Sequence, residues 1–124
     1  MSGLPSLVLA TLLAVQPSAP GVSPLHVAMS NRVPGPAVSC IGPRPIRSTE
    51  IVEGVGVLFD TGDAVYLNRP TSGLEGINSR DGLRVELHFP RLCRSDVVDL
   101  FNRSTRAPNG FIVLGDFVPY RRGD

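Results

Sequence analysis

The chain has no lysine and no tryptophan, only two cysteines and two histidines, and an aromatic content of 6% over 124 residues. No Asp, Glu, Lys or Arg occurs before Arg32. Each scarcity excludes something. Two distant thiols, with His26 and His88 the only imidazoles, lack the paired ligand spacing of a zinc site. His88 is the one histidine within the body of the chain, so a Ser-His-Asp or Cys-His arrangement has little to draw on. There is no Walker loop and no HExxH. Gly54-Val55-Gly56 opens like a dinucleotide loop, but Phe59 stands where the third glycine belongs. The net charge of +1 argues against a dedicated nucleic-acid binder or a polybasic membrane clamp. All twelve cations are Arg, which a GC-rich genome produces before any function does.

What is present suits one small domain. Hydrophobic residues are 42% and charged residues 19%, enough for a packed core. Thirteen Gly and twelve Pro favour short elements joined by tight turns. Residues 7–15, LVLATLLAV, form an apolar run of signal-peptide length, too short to span a bilayer as a helix. Small residues follow, and the pair Ala19 and Gly21 places a cleavage before Val22. The start carries no basic residue, so a plain hydrophobic tail is the alternative. The expected organisation is a signal peptide at 1–21, a proline-rich linker at 22–38, a β domain at 39–120 and a frayed tail at 121–124. The expected location is periplasmic or secreted, with no membrane span once the signal is removed.

Cys40 and Cys93 make an even count in a small exported chain, which suggests one disulfide. Closing a loop of this length is worth about 4 kcal/mol in the chain-entropy estimate. A metal site, a lipid anchor at Cys40 and two free buried thiols are the alternatives.

From residue 46 onward the hydrophobic period is two. Leu83, Val85, Leu87 and Phe89 alternate with Arg84, Glu86 and His88, predicting a half-buried strand. Residues 49–52, 55–59 and 64–69 predict further strands, with Asp60-Thr61-Gly62-Asp63 as a hairpin turn. Residues 92–101 and 111–120 predict two more, the second preceded by an Asn109-Gly110 turn. One or two helical turns over 96–102 are the alternative there. The expected fold is mainly β, a small antiparallel barrel or roll of about six short strands. Residues 70–80 read as a turn-rich loop, the one segment suited to an inhibitor's protruding loop.

Cys40-Ile41 with Arg44 and Ile46, then Tyr66-Leu67-Asn68, Leu92-Cys93-Arg94-Ser95-Asp96 and Leu114-Gly115-Asp116-Phe117 form a recognisable series. It resembles an uncharacterised family of small exported proteobacterial proteins, a domain of unknown function found in the envelope. The resemblance covers residues 39–120. Members often carry two further cysteines, after the Tyr-x-Asn strand and before Leu-Gly, and this chain has neither. That is coherent with Cys40 and Cys93 bonding to each other. The family brings no assigned catalytic residues.

The remaining candidate site residues are Asp96, His88 and Glu86. Glu86 and His88 share the polar face of one strand, where a solvent-facing pair is favoured over a metal or acid–base site. Asp96, three residues past Cys93, either caps a turn or pairs with Arg94 or Arg44. Asp60 and Asp63 read as turn residues, without EF-hand spacing. Arg122-Gly123-Asp124 matches a three-residue adhesion tripeptide by chance. No cofactor is expected. The favoured reading is a monomeric, non-catalytic envelope protein with a structural or binding role, its partner an unidentified protein or ligand. A small secreted enzyme or a secreted inhibitor is the alternative.

Overall fold

The computed structural model describes residues 29–85 and 91–123. The expected signal peptide, Glu86 and His88 lie outside the described residues. The fold is mainly β, with ten short strands among the described residues: β1 (Arg32–Pro34), β2 (Cys40–Ile41), β3 (Ser48–Val52), β4 (Gly56–Asp60), β5 (Val65–Asn68), β6 (Asp81–Arg84), β7 (Leu92–Cys93), β8 (Val97–Asn102), β9 (Pro108–Val113) and β10 (Phe117–Arg122). All pairings are antiparallel. They form a five-stranded sheet in the order β1-β10-β5-β4-β3, a three-stranded sheet β6-β8-β9, and the short ladder β2-β7. Among the described residues no helix is long and apolar enough to cross a membrane.

The expected barrel is not closed, and the strand count exceeds six for identifiable reasons. The run 92–101 is cut in two because Ser95 adopts φ 75° and Asp96 closes a tight turn. The run 111–120 is cut at Leu114-Gly115-Asp116, where the chain passes from one sheet to another. Asn109 and Gly110 lie within β9, and the turn before it is organised by Asn102 instead. The Asn102 Oδ1 accepts the N–H groups of Ser104 at 2.8 Å and Thr105 at 3.0 Å. Residues 96–102 are strand rather than helix. Arg32–Pro34, inside the stretch read as linker, forms an edge strand on β10, and that pairing carries Arg121 and Arg122 with it.

The five- and three-stranded sheets enclose the main core. Val57, Phe59 and Phe117 from the first sheet meet Val98, Leu100 and Ile112 from the second, with Ile41, Leu92 and Leu114 at the β2-β7 end. Phe117 sits edge-on to Phe59 at 5.7 Å and to Tyr66 at 6.4 Å between ring centres. The strand period of two sends Leu58, Val65 and Leu67 to the opposite face, where a smaller cluster includes Val52, Met29 and Tyr120. The β4–β5 hairpin is built as its turn residues require. Asp60 accepts the Gly62 N–H at 2.8 Å, and the Thr61 hydroxyl donates to Asp63 at 2.7 Å.

That hydroxyl holds the Asp63 carboxyl below its ordinary pKa. Glu53 is lowered as well, first by the Ser79 backbone N–H, which donates to it at 2.8 Å. A lowered folded-state pKa contributes stability above the unfolded value and loses it as pH falls through the folded one. The melting temperature is therefore expected to hold steady down to about pH 5 and to drop below about pH 4. Asp63→Asn should flatten that drop in a thermal-shift titration, and a melting temperature that rises in acid would contradict the assignment.

Candidate binding face

The residues singled out in the sequence converge on one structural knot. Cys40 and Cys93 face each other directly across β2 and β7 and form a disulfide, with 4.0 Å between their Cα atoms. Asp96 closes the turn that follows. Its carboxylate accepts the Cys93 N–H at 2.7 Å, and its own N–H donates to the Cys93 carbonyl at 3.0 Å. The turn is tied to the sheet crossing: Ser95 N–H donates to the Leu114 carbonyl and Leu114 N–H to the Asp96 carbonyl, each at 2.9 Å. Asn68, fully buried, then clamps the neighbouring residue. Its Nδ2 donates to the Gly115 carbonyl at 2.8 Å and its Oδ1 accepts the Gly115 N–H at 2.9 Å. A Cβ on Gly115 would collide with the Arg69 carbonyl oxygen, so the glycine is required by this close approach.

Asp96 is thus a turn residue, paired with neither Arg94 nor Arg44. Arg94 instead reaches Asp116 at 3.5 Å, an exposed pair worth little. Residues 70–80 do not protrude as a free loop. Thr71 and Ser72 bond to Val113, Ile77 is buried, and Ser79 is held by Glu53. Among the described residues, no group of three or more His, Cys, Asp or Glu is placed to hold a metal ion.

A second polar feature left no signal in the sequence. Asp81 is only 2% exposed at the start of β6, and both its carboxylate oxygens accept from Asn109 Nδ2, at 3.0 and 2.8 Å. Removing that donor leaves a buried carboxylate without its amide. Asn109→Ala is expected to cost about 1–3 kcal/mol, read from the urea midpoint. An unchanged midpoint would mean that water replaces the amide at no cost.

The outer face of the three-stranded sheet has a different character. Val98 and Leu100 point into the core, so Val97, Asp99 and Phe101 point away from it. Register places Arg84 opposite Asp99, Gly82 opposite Phe101, and Phe111 opposite Asp99 on the other side. The Phe101 ring lies across Gly82, in the space a side chain there would fill. The Arg84 guanidinium stands 5.8 Å from the ring centre, within cation–π range. Val97 and Phe111 are 61% and 55% exposed on the same face. Two adjoining hollows flank Phe101 and Arg106. One, of about 290 Å³, adds Arg84, Asp99 and Phe111; the other, of about 360 Å³, adds Arg103 and Thr49. Among the described residues, none of these three Arg side chains is bridged to a carboxylate. A third hollow, beside Arg32 and Arg122, adjoins the chain terminus.

Compared with known proteins, the chain matches no family model, and no curated protein or solved structure matches it.

Proposed function

We propose that the protein is an exported, non-catalytic binding module of the cell envelope, working as a monomer through the outer face of β6-β8-β9. The observation that carries this reading is the composition of that face. Arg84, Arg103 and Arg106 surround Phe101, and Phe111 and Val97 stand exposed beside them. Arg and aromatic side chains are the residues that dominate binding energy at protein surfaces. Apolar side chains grouped on one exposed face mark an interaction site, whereas scattered ones are ordinary.

Export is supported by the apolar run at 7–15 and by the Cys40–Cys93 bond, which suits an oxidising compartment. It also accords with the resemblance to small envelope proteins. The motif residues behind that resemblance support a structural role for the shared pattern, since they build the knot around the disulfide.

The test uses the oxidised full chain mixed with isolated bacterial envelopes and centrifuged. The protein is expected to sediment with the envelopes, and Phe111→Ser is expected to leave it in the supernatant at an unchanged melting temperature. Wild-type protein that stays in the supernatant would overturn the reading.

A further inference from the structure

We propose that the outer face of β6-β8-β9 binds an acidic oligosaccharide, one whose sugar rings carry carboxylates. This rests on the binding reading above and names its ligand class. Three features of the face select that chemistry together.

First, the site is two shallow hollows that share a wall, rather than one deep pocket. Phe101 and Arg106 line both. Each hollow is at or near the lower limit of small-ligand sites, so each takes a ring-sized unit, and a ligand filling both is a chain of such units. Second, three cations gather on this face, all of them guanidiniums because the chain has no lysine. Arg84 serves the first hollow, Arg103 the second, and Arg106 stands between them. A guanidinium fork matches a planar carboxylate with two parallel hydrogen bonds. Third, the rest of the lining is neither basic nor purely apolar. Phe111, 55% exposed, offers a flat ring to the C–H face of a sugar, beside Phe101, whose ring lies over Gly82 and near the Arg84 guanidinium. Asp99, exposed in the first hollow, is an acceptor-only group suited to hydroxyls.

Asp99 also separates the ligand classes. A densely charged chain such as polyphosphate would meet a like charge in the middle of the face. A glycan spaces its acids among hydroxyls that Asp99 can accept. A peptide is disfavoured for a separate reason. The ladders β6–β8 and β8–β9 use the sheet's own backbone groups, so its face offers an extended peptide no main-chain pairing.

The experiment is calorimetric titration of the oxidised full chain at pH 7 and moderate salt. The probes are oligogalacturonate, an uncharged dextran oligomer, polyphosphate and poly-glutamate. Oligogalacturonate is expected to bind at least tenfold more tightly than any of the others. Arg106→Gln should weaken it by tenfold or more, Arg103→Gln by severalfold, and Arg94→Gln, in the exposed pair with Asp116, should leave it unchanged. Arg103 is exposed on a loop, so its variant reports on binding even if an Arg106 substitution disturbs the turn. Equal binding of polyphosphate or poly-glutamate would reduce the face to a charge patch and overturn the proposal. Equal binding of dextran would remove the guanidiniums' role and overturn it too, as would no binding of oligogalacturonate. If the protein still sediments with envelopes while oligogalacturonate fails, the ligand class alone is wrong. If both fail, the binding reading falls with it.

Discussion

Asn68→Ala is expected to lower stability by about 3 kcal/mol, or roughly 10–20 °C in melting temperature. The Asn68 side chain is fully buried, and both of its polar atoms serve Gly115, a buried residue where the chain leaves the three-stranded sheet. Truncation strands one backbone N–H and one backbone carbonyl away from water, and each stranded group costs about 1–3 kcal/mol. Asn68→Asp sharpens the test. Its carboxylate keeps an acceptor for the Gly115 N–H, but turns a second acceptor toward the Gly115 carbonyl unless it is protonated. Asn68→Asp should therefore be much less stable than wild type at pH 7, with the deficit narrowing in mild acid. Equal stability of Asn68→Ala and wild type, by chemical denaturation, would show that the clamp contributes nothing.

Opening the Cys40–Cys93 bond is the other large effect. The crosslink joins residues 53 apart in sequence, and the chain-entropy estimate for such a loop is about 4 kcal/mol. Its local setting makes the loss greater than entropy alone. The ladder it joins is only two residues long on each side, yet it carries Ile41 and Leu92 into the main core. The replacement of both cysteines by Ser is expected to lower the melting temperature by about 15 °C or more. Reduction of the wild type should do the same. The loss should begin at β2, which otherwise hangs on the Ser39–Arg94 and Val38–Phe117 backbone bonds. A melting temperature indifferent to reduction would remove the staple from the account.

The sequence disclosed the parts whose cause is local. Alternation placed β8, and two β-prone runs with the Asp60–Asp63 cluster between them placed β4, β5 and their hairpin, because exposure pattern, β-propensity and turn bonds depend on adjacent residues. The disulfide is the exception, since it joins residues 53 apart in sequence and two cysteines in a small chain suggest it by count alone. What stayed hidden depends on residues far apart. Asn68 stands in one of the short motifs, but its role appears only when Gly115, 47 positions away, is set against it. Asp81 gives no sign of its role until Asn109 reaches it across 28 residues. Two breaks, at Ser95 and Gly115, raise the six expected strands to eight, because tertiary bonds there interrupt a β-prone run, and β1 and β2, outside the six, make ten among the described residues. The face proposed for binding was illegible because Gly82, Phe101 and Arg106 come from separate segments. Only the β6-β8-β9 register lays a ring over a glycine and gathers scattered Arg around it. The short motifs that stand out in sequence therefore build the scaffold around the disulfide, and the face proposed for binding is built from residues that do not stand out.

Native-state hydrogen exchange at the Gly115 amide tests that division most directly. If Asn68, Asp96 and the disulfide form one knot, this amide exchanges only through global unfolding, as slowly as the central strand β4, and the protection collapses on reduction. Rapid exchange at Gly115 in the oxidised protein, with β4 still protected, would contradict it.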